Sequence, residues 1–180
     1  ANLSFTDKIR AMQALGPAGE AIYLTSFKEK MAEFDVPDAA TFIDRVFIVI
    51  LGGRSIAEIN GFYSRHFGAP KADVMPAVIS VMSNAFGLPA DTKHDLAAMA
   101  LRGQSYVELD AMPDAATPRP GSAGELPPAI SMVSFSVDSL PTAGLQYLAE
   151  PVTIPQAPYY GKRAAVCVGA AGELVEVIEA

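Results

Sequence analysis

The sequence predicts an α+β protein built from two modules, each with the order strand, helix and three further strands. One observation is a glycine-led strand that occurs three times, as GEAIYLTSF, GQSYVELDA and GELVEVIEA. Another is that two segments with the same order of patterns lie on either side of a stretch rich in Pro, Gly and Ala. Such a spaced repetition indicates a supersecondary unit that is used more than once.

The first module is predicted over residues 42–112. FIDRVFIVIL, at 42–51, is rich in β-branched and aromatic residues and predicts a strand buried on both faces, which Gly52 and Gly53 end. RSIAEINGFYSRHFG predicts a helix closed by Gly68, because apolar residues recur at spacings of three and four. These residues are Ile56, Ile59, Phe62, Tyr63 and Phe67.

Three strands complete this module. PAVISVMSNAF, residues 76–86, fits a strand or a helix by periodicity, and a strand is favoured at its beginning. HDLAAMALRGQSYVELDAMP predicts two strands joined by a turn at Arg102-Gly103, and Pro113 ends the second strand.

The second module is predicted over residues 128–180, after a linker at 113–127 without periodicity. AISMVSFSVD alternates apolar and small polar residues and predicts a strand. LPTAGLQYLAE, residues 140–150, can form one short helix, and PVTIP is extended. GKRAAVCVG and GELVEVIE predict a final hairpin.

Residues 1–41 are predicted to be a partial module or an N-terminal extension. KIRAMQALGPAGEAIYLTSF is similar to the last hairpin of a module, with Tyr23 where the other copies have glutamate. A helix over DKIRAMQAL is the alternative, but the GPAG turn and the β-rich IYLT favour a hairpin.

Composition excludes several classes of function. A net charge of −7 and a pI near 4.7 argue against binding nucleic acid, which requires clustered Lys and Arg. Cys167 is the only cysteine, so an intramolecular disulfide is impossible and a reducing cytoplasm is expected. No apolar run approaches the roughly 18 residues of a spanning helix, so no membrane association is expected.

The patterns IDRVFIVIL, GFYSRHFGA, RGQSYVELD, ISMVSFSVDSL and GKRAAVCVGAAGELVEVIE resemble the vicinal oxygen chelate superfamily, which groups glyoxalase I, bleomycin-resistance proteins and extradiol dioxygenases. The resemblance covers the chain from about residue 42 to the C-terminus. It implies paired βαβββ modules whose curved mixed sheets enclose a cleft. It leaves the activity open, since one scaffold carries many functions.

The resemblance also implies a metal held by the first and last strands of each module. The matching positions are Arg45 and Met132 on the first strands and Glu108 and Glu176 on the last strands. Arginine has no lone pair to donate, and a thioether is a poor ligand for hard divalent ions, so we expect no metal and no other cofactor. A shift of one residue would place Asp44 or Ser131 there instead.

Two classes of function follow from the resemblance. One is a protein that binds a small aromatic or oxygenated metabolite in the cleft without a metal, with Arg45, Met132, Tyr159 and Tyr160 as ligand-binding residues. The alternative is a lyase, isomerase or dioxygenase-related enzyme of the superfamily, with Glu108 and Glu176 as catalytic carboxylates.

Structural roles compete with these assignments. The two glutamates can be solvated, Arg45 can form an ion pair with Glu108, and Met132 can fill the core.

The apolar residues of the N-terminal hairpin bear on whether the chain associates. The N-terminal hairpin would carry an apolar face that must be covered, and that face is predicted to pack against Val46 to Phe67. The residues of the face are Ile9, Met12, Ile22, Leu24 and Phe27. A homodimer is favoured over a monomer.

Overall fold

A computed structural model describes residues 2–3, 6–17, 19–32, 34–122, 124–140 and 144–180. These residues form eleven strands and two α-helices. The strands are β1 (Asn2–Leu3), β2 (Thr6–Leu15), β3 (Ala21–Phe27), β4 (Ile48–Gly53), β5 (Met75–Val78), β6 (Lys93–Leu101), β7 (Ser105–Ala111), β8 (Met132–Val137), β9 (Val152–Ile154), β10 (Lys162–Val168) and β11 (Leu174–Glu179). The helices are α1 (Ile56–Phe67) and α2 (Ser80–Ala85).

The strands form one three-stranded sheet and two four-stranded sheets. The N-terminal sheet has the order β1-β2-β3, the first four-stranded sheet β4-β7-β6-β5, and the second β8-β11-β10-β9. In both larger sheets the first strand is parallel to the last, and the other pairs are antiparallel. The two mixed sheets therefore have the same topology, as the repeated glycine-led strand predicts.

The core lies between the two larger sheets and is organised by α1. This helix buries Ile56, Ile59 and Tyr63, and one contiguous apolar cluster joins them to Val107 and Leu109 of β7. Val175 and Val177 of β11 belong to the same cluster and are fully buried. We call the side of each four-stranded sheet that contributes to this cluster its core face and the opposite side its outer face.

The predicted helix is present and begins and ends as its sequence indicates. The Ser55 hydroxyl accepts a hydrogen bond from the Glu58 amide at 3.2 Å, which caps the N-terminus. Gly68 ends the helix with φ of 65°, a left-handed conformation that glycine adopts at little cost. In the segment at 76–86, β5 is followed by α2, so the strand favoured at its beginning is also found.

The first strand of the module is shifted relative to the prediction. Residues 42–47 are not in a strand, and β4 extends through Gly52 and Gly53, which were predicted to end it. Partner strand β7 supplies the reason, because the ladder starts where Ile48 pairs with Tyr106 and ends where Gly53 pairs with Ala111. At Gly53 a Cβ atom would lie 2.7 Å from Ile59 Cδ1, so glycine allows the strand to approach α1 closely.

The second module differs from the first in its connection between strands. Residues 141–143 of the predicted short helix lie outside the described residues, and residues 144–150 contain no helix. Tyr147 instead forms an antiparallel bridge with Cys167 of β10, and the Leu148 amide donates to the Val166 carbonyl at 2.8 Å. Pairing with the open edge of the sheet satisfies backbone groups that a helix would satisfy internally.

The N-terminal hairpin is present as β2 and β3, but its apolar residues do not share one face. Ile9 pairs with Phe27, and Met12 pairs with Leu24, three residues along β2. Neighbouring residues of a strand point to opposite sides, so the two pairs lie on opposite faces. Ile9 is buried and Phe27 packs on Phe47 with ring centroids 5.7 Å apart, whereas Met12, Ile22 and Leu24 are exposed.

No helix among the described residues is both long enough and apolar enough to cross a membrane.

One buried hydrogen bond connects the two modules. Tyr63 on α1 donates its hydroxyl proton to Glu173 Oε1 at 2.7 Å, and the Ala171 amide donates to the other carboxylate oxygen at 2.9 Å. Burial, followed by the charge of Glu173, raises the pKa of Tyr63, so the hydroxyl keeps its proton and remains a donor.

We expect Tyr63→Phe to lower the free energy of unfolding by about 1–3 kcal/mol, because it leaves a buried carboxylate oxygen without its donor. Urea denaturation measures the change. Tyr160→Phe is the control, because Tyr160 is 78% exposed. If the two variants unfold at the same urea concentration, this bond does not hold the modules together.

Candidate functional site

The predicted catalytic carboxylates lie on the outer faces of the two larger sheets. Val107 and Leu109 occupy the core face of β7, so Glu108 between them points to the outer face. The same alternation places Glu176 on the outer face of β11, between Val175 and Val177. Since the shared core separates the two outer faces, the fold does not bring Glu108 and Glu176 into one site within the chain.

Glu176 is held by two hydroxyl groups. Ser134 on the neighbouring strand β8 donates to Glu176 Oε2 at 2.5 Å, and Tyr159 donates to Oε1 at 2.7 Å. The hydrogen bond to Glu176 is the main reason why the pKa of Tyr159 is raised. Although Glu176 is only 6% exposed, both of its oxygens are therefore satisfied.

Glu108 belongs to a second cluster, with Asp110 two residues later on the same face of β7. Asp110 is 3% exposed, and its Oδ1 has no hydrogen-bond partner among the described residues. Burial, followed by the charge of Glu108 and the hydrogen bond between the two side chains, raises the pKa of Asp110 from 3.8 to about 8. Burial also raises the pKa of Glu108. The pair therefore holds protons that free carboxyl groups would lose.

The N-terminal hairpin approaches this pair. The Tyr23 hydroxyl is close enough to both carboxyl groups to interact with their charges. Burial, followed by the charges of Asp110 and Glu108, raises the pKa of Tyr23. Nearby, Phe34 packs on Tyr106 with ring centroids 5.4 Å apart, and the Asp35 amide donates to the Tyr106 hydroxyl at 2.9 Å. The hairpin and the segment after it thus lie over the outer face of the first sheet.

His94 is a further titratable residue on that outer face. It alternates along β6 with the core residue Ala97 and pairs with Ala77 of β5. Its Nε2 lies 3.1 Å from the Ser83 hydroxyl of α2, and both residues are buried. His94 is therefore a partnered group at the edge of the carboxyl pair, as a structural histidine would be.

The other predicted ligand-binding residues lie apart from the carboxyl pair. Arg45 precedes β4, and its Nε is 3.6 Å from Asp44 Oδ2, so its ion pair is with Asp44 and the alternative pair with Glu108 does not form. Met132 begins β8 and pairs with Leu174, one pleat from Ser134 and Glu176. Tyr160, with φ of 49°, is largely exposed.

The side chains do not fit the metal that the resemblance implies. Glu108 lies beside Ile50 in the parallel ladder, and Glu176 lies beside Ser134, so neither position next to a glutamate is the residue that the sequence indicated. Isoleucine has no donor atom, and the serine hydroxyl is already engaged with Glu176. In the part of the chain that the structure describes, no group of three or more His, Cys, Asp and Glu side chains is placed to hold a metal ion.

Asp110, Ser134 and Glu173 were not predicted as site residues. Asp110 was detectable, because the alternation in SYVELDA places it on the same face as Glu108. Ser134 required the register between β8 and β11, and Glu173 required the packing of α1 against the second module. Neither of these has a local signal in the sequence.

With these two outer-face clusters, the chain is a two-module α+β protein with a carboxylate on the last strand of each module. It is similar to a glyoxalase family protein from Bacillus cereus, with a TM-score of 0.55 and 19% identity over 79% of this chain and 98% of that one. It is also similar to a glyoxalase family protein from Enterococcus faecalis, with a TM-score of 0.51 and 14% identity over 77% and 100%.

The chain therefore has the vicinal oxygen chelate fold, and the predicted fold class is confirmed. No protein-family model matches the sequence, and no curated protein sequence matches it significantly. Because the solved structures share less than a quarter of their residues with this chain, their activities do not transfer to it.

Asp110 gives a pH prediction for stability. Its pKa is about 8 in the folded protein against 3.8 for an ordinary Asp, so between these values the folded state binds a proton that the unfolded state has released. The free energy of unfolding therefore falls as pH rises from about 4 to about 8. We expect Asp110→Asn to reduce this fall, because the amide does not ionise.

Urea denaturation at several pH values tests this expectation. Asp95→Asn is the matched control, because Asp95 lies on the adjacent strand β6 but is exposed. If the Asp110 variant keeps the slope of the wild type, Asp110 is not the group that takes up the proton.

Proposed function

We propose that the protein binds a small oxygenated or aromatic molecule on the outer face of the first module, between the Glu108–Asp110 pair and Tyr23, without a metal. The observation that carries the proposal is the Asp110 carboxyl group, which is buried and has an Oδ1 atom without a partner in the described chain. A buried polar atom without a hydrogen bond costs about 1–3 kcal/mol, and a ligand that supplies the bond would recover this free energy.

The protonation of the pair supports a neutral ligand. Two adjacent carboxyl groups with raised pKa values do not both ionise near neutral pH, so the pair can donate one hydrogen bond as well as accept others. A hydroxyl or carbonyl oxygen can use both capacities. An anionic ligand would be repelled whenever one carboxyl group is ionised.

The surroundings of the pair support an aromatic ligand. Tyr23, Phe34 and Tyr106 lie on the same side of the sheet, and Phe27 joins Phe34 with ring centroids 5.9 Å apart. Small-molecule sites commonly combine such apolar walls with a few polar groups that fix orientation. Tyr23 contributes a ring and a hydroxyl group, as tyrosine does at many binding surfaces.

An enzyme of the lyase, isomerase or dioxygenase-related kind is the second candidate. The raised pKa of Glu108 favours it, since a carboxylate whose pKa is shifted toward neutrality is suited to removing a proton from a bound substrate. In this version Glu108 is the general base, and Asp110 holds it in place through the hydrogen bond between the two side chains. Glu176, with both oxygens satisfied, acts elsewhere in the molecule or not at all.

Phenol is a suitable probe for the proposed site, because it combines one ring with one hydroxyl group. We expect saturable NMR shifts at Tyr23 and β7, with affinity reduced about tenfold in Asp110→Asn and in Glu108→Gln, since a tenfold change corresponds to one good hydrogen bond. Affinity should also fall as pH rises past the Asp110 pKa of about 8.

Asp95→Asn should bind phenol as the wild type does, and benzoate should bind more weakly than phenol. Equal phenol affinity in all four proteins would contradict the proposed site.

If the protein binds its ligand without a metal, elemental analysis of dialysed protein will find no stoichiometric divalent ion. A bound ion that is lost on mutation of Glu108 and Glu176 would contradict that part.

We also propose a homodimer. The face of the hairpin that carries Met12, Ile22 and Leu24 is exposed, as are Val152 and Val168 at the second sheet. Exposed apolar residues in neighbouring positions favour association. Light scattering is expected to give the mass of two chains, and Leu24→Lys is expected to shift it toward one chain. A monomeric wild type would contradict the proposal.

A further inference from the structure

A groove lies beside the C-terminal half of α1, away from both carboxylate clusters. It has a volume of about 440 Å³, within the range of small-molecule sites. Phe62 and His66 of α1 form one wall, and residues 144–148 together with Val168 form the other. In the first module, the corresponding connection after the first strand contains a helix, whereas the described residues 144–150 do not. The groove lies where the second module departs from the first.

His66, Gln146 and Tyr147 are the polar residues that line the groove, and His66 is the one on the wall formed by α1. Its ring packs on Phe62 with centroids 5.0 Å apart, and its Nδ1 atom is buried with no hydrogen-bond partner among the described residues. An N–H group at that buried atom would have no acceptor in the described part of the chain, so we assign the N–H of the ring to Nε2. His66 therefore offers a hydrogen-bond donor, Nε2–H, from a wall that is otherwise largely aromatic and apolar.

The opposite wall begins at Gly144, close to the His66 ring. Gly144 has φ of 71°, a conformation that favours glycine, and a Cβ atom there would lie 3.8 Å from His66 Cε1. Leu145, Tyr147 and Leu148 continue the wall and are held to β10 by the bridge between Tyr147 and Cys167. The groove is therefore narrow between Gly144 and His66. Strand pairing fixes the position of the wall that Gly144 begins.

We infer that this groove is a second binding site, for a one- or two-ring aromatic molecule that carries an acceptor oxygen such as a carbonyl group. The ring packs against Phe62, and the oxygen accepts the hydrogen bond from His66 Nε2. The site is independent of the Glu108–Asp110 pair, which lies on the outer face of the first sheet. It requires no metal and no ionised ligand.

Acetophenone and ethylbenzene test this inference, because they share a carbon skeleton and differ by the carbonyl oxygen. We expect acetophenone to shift the amide resonances of Phe62, His66 and Tyr147 saturably and to bind about tenfold more tightly than ethylbenzene, as one added hydrogen bond predicts. In His66→Phe, which keeps a ring of similar size, the two compounds should bind equally.

Val168→Phe should abolish acetophenone binding by filling the groove, and Arg65→Gln, on the same helical turn, should leave it unchanged. Asp110→Asn should also leave it unchanged, which separates this site from the proposed function. Equal binding of the two compounds to the wild type, no saturable shifts at the groove, or full binding in Val168→Phe would each overturn the inference.

Discussion

The packing of one helix between two sheets determines which side chains of the two modules are buried in the shared core and which point away from it. Helix α1 presents Ile56, Ile59 and Tyr63 to a core that both four-stranded sheets share. Tyr63 contacts Phe135 of the second module with ring centroids 5.9 Å apart and donates to Glu173. A side chain on β7 or β11 must therefore either join this core or point to an outer face. The carboxylates point outward because burial in the core would cost them far more.

The two outer faces stabilise their buried carboxyl groups in different ways. On the second sheet, Glu176 receives two hydrogen bonds from hydroxyl groups, which is how proteins stabilise a buried acid without a cation. On the first sheet, Asp110 has an oxygen without a partner among the described residues and shares a face with Glu108 beneath the N-terminal hairpin. On this face the Asp110 carboxyl group retains its proton, so Asp110 buries no charge there. The satisfied cluster has little free energy to gain from a ligand, whereas the unsatisfied one does.

Much of the fold could be predicted from local signals. The spacing of apolar residues in α1, its capping by Ser55 and Gly68, and the turns of the hairpins are encoded within a few residues of where they act. The start of β4 could not be predicted in this way, because it depends on where β7 offers partners. The missing helix at 144–150 is also a tertiary effect, since that segment pairs with β10 instead.

The candidate site was predictable only in part, for the same reason. Alternation places Glu108 and Glu176 opposite the core, so their exposure to a surface follows from sequence. Their neighbours do not, because Ile50 and Ser134 are set by register and Tyr23 by the docking of a distant hairpin. The sequence assigned Arg45 and Met132 to the first strands, whereas the residues that pair with Glu108 and Glu176 in the parallel ladders are Ile50 and Ser134.

The differences between the two modules follow from the way α1 fills their shared core. A shared helix fills the core of both sheets, so the second module remains packed although its described residues 144–150 form no helix. Beside that segment, Phe62 and His66 line a groove. On the other side of the molecule, the N-terminal hairpin covers an outer face that the first module cannot fill alone. Among the described residues, each of these two places holds a buried polar atom without a hydrogen-bond partner, Asp110 Oδ1 at one and His66 Nδ1 at the other. A ligand that binds only the folded state stabilises it, and at Asp110 such a ligand would also supply the missing hydrogen bond.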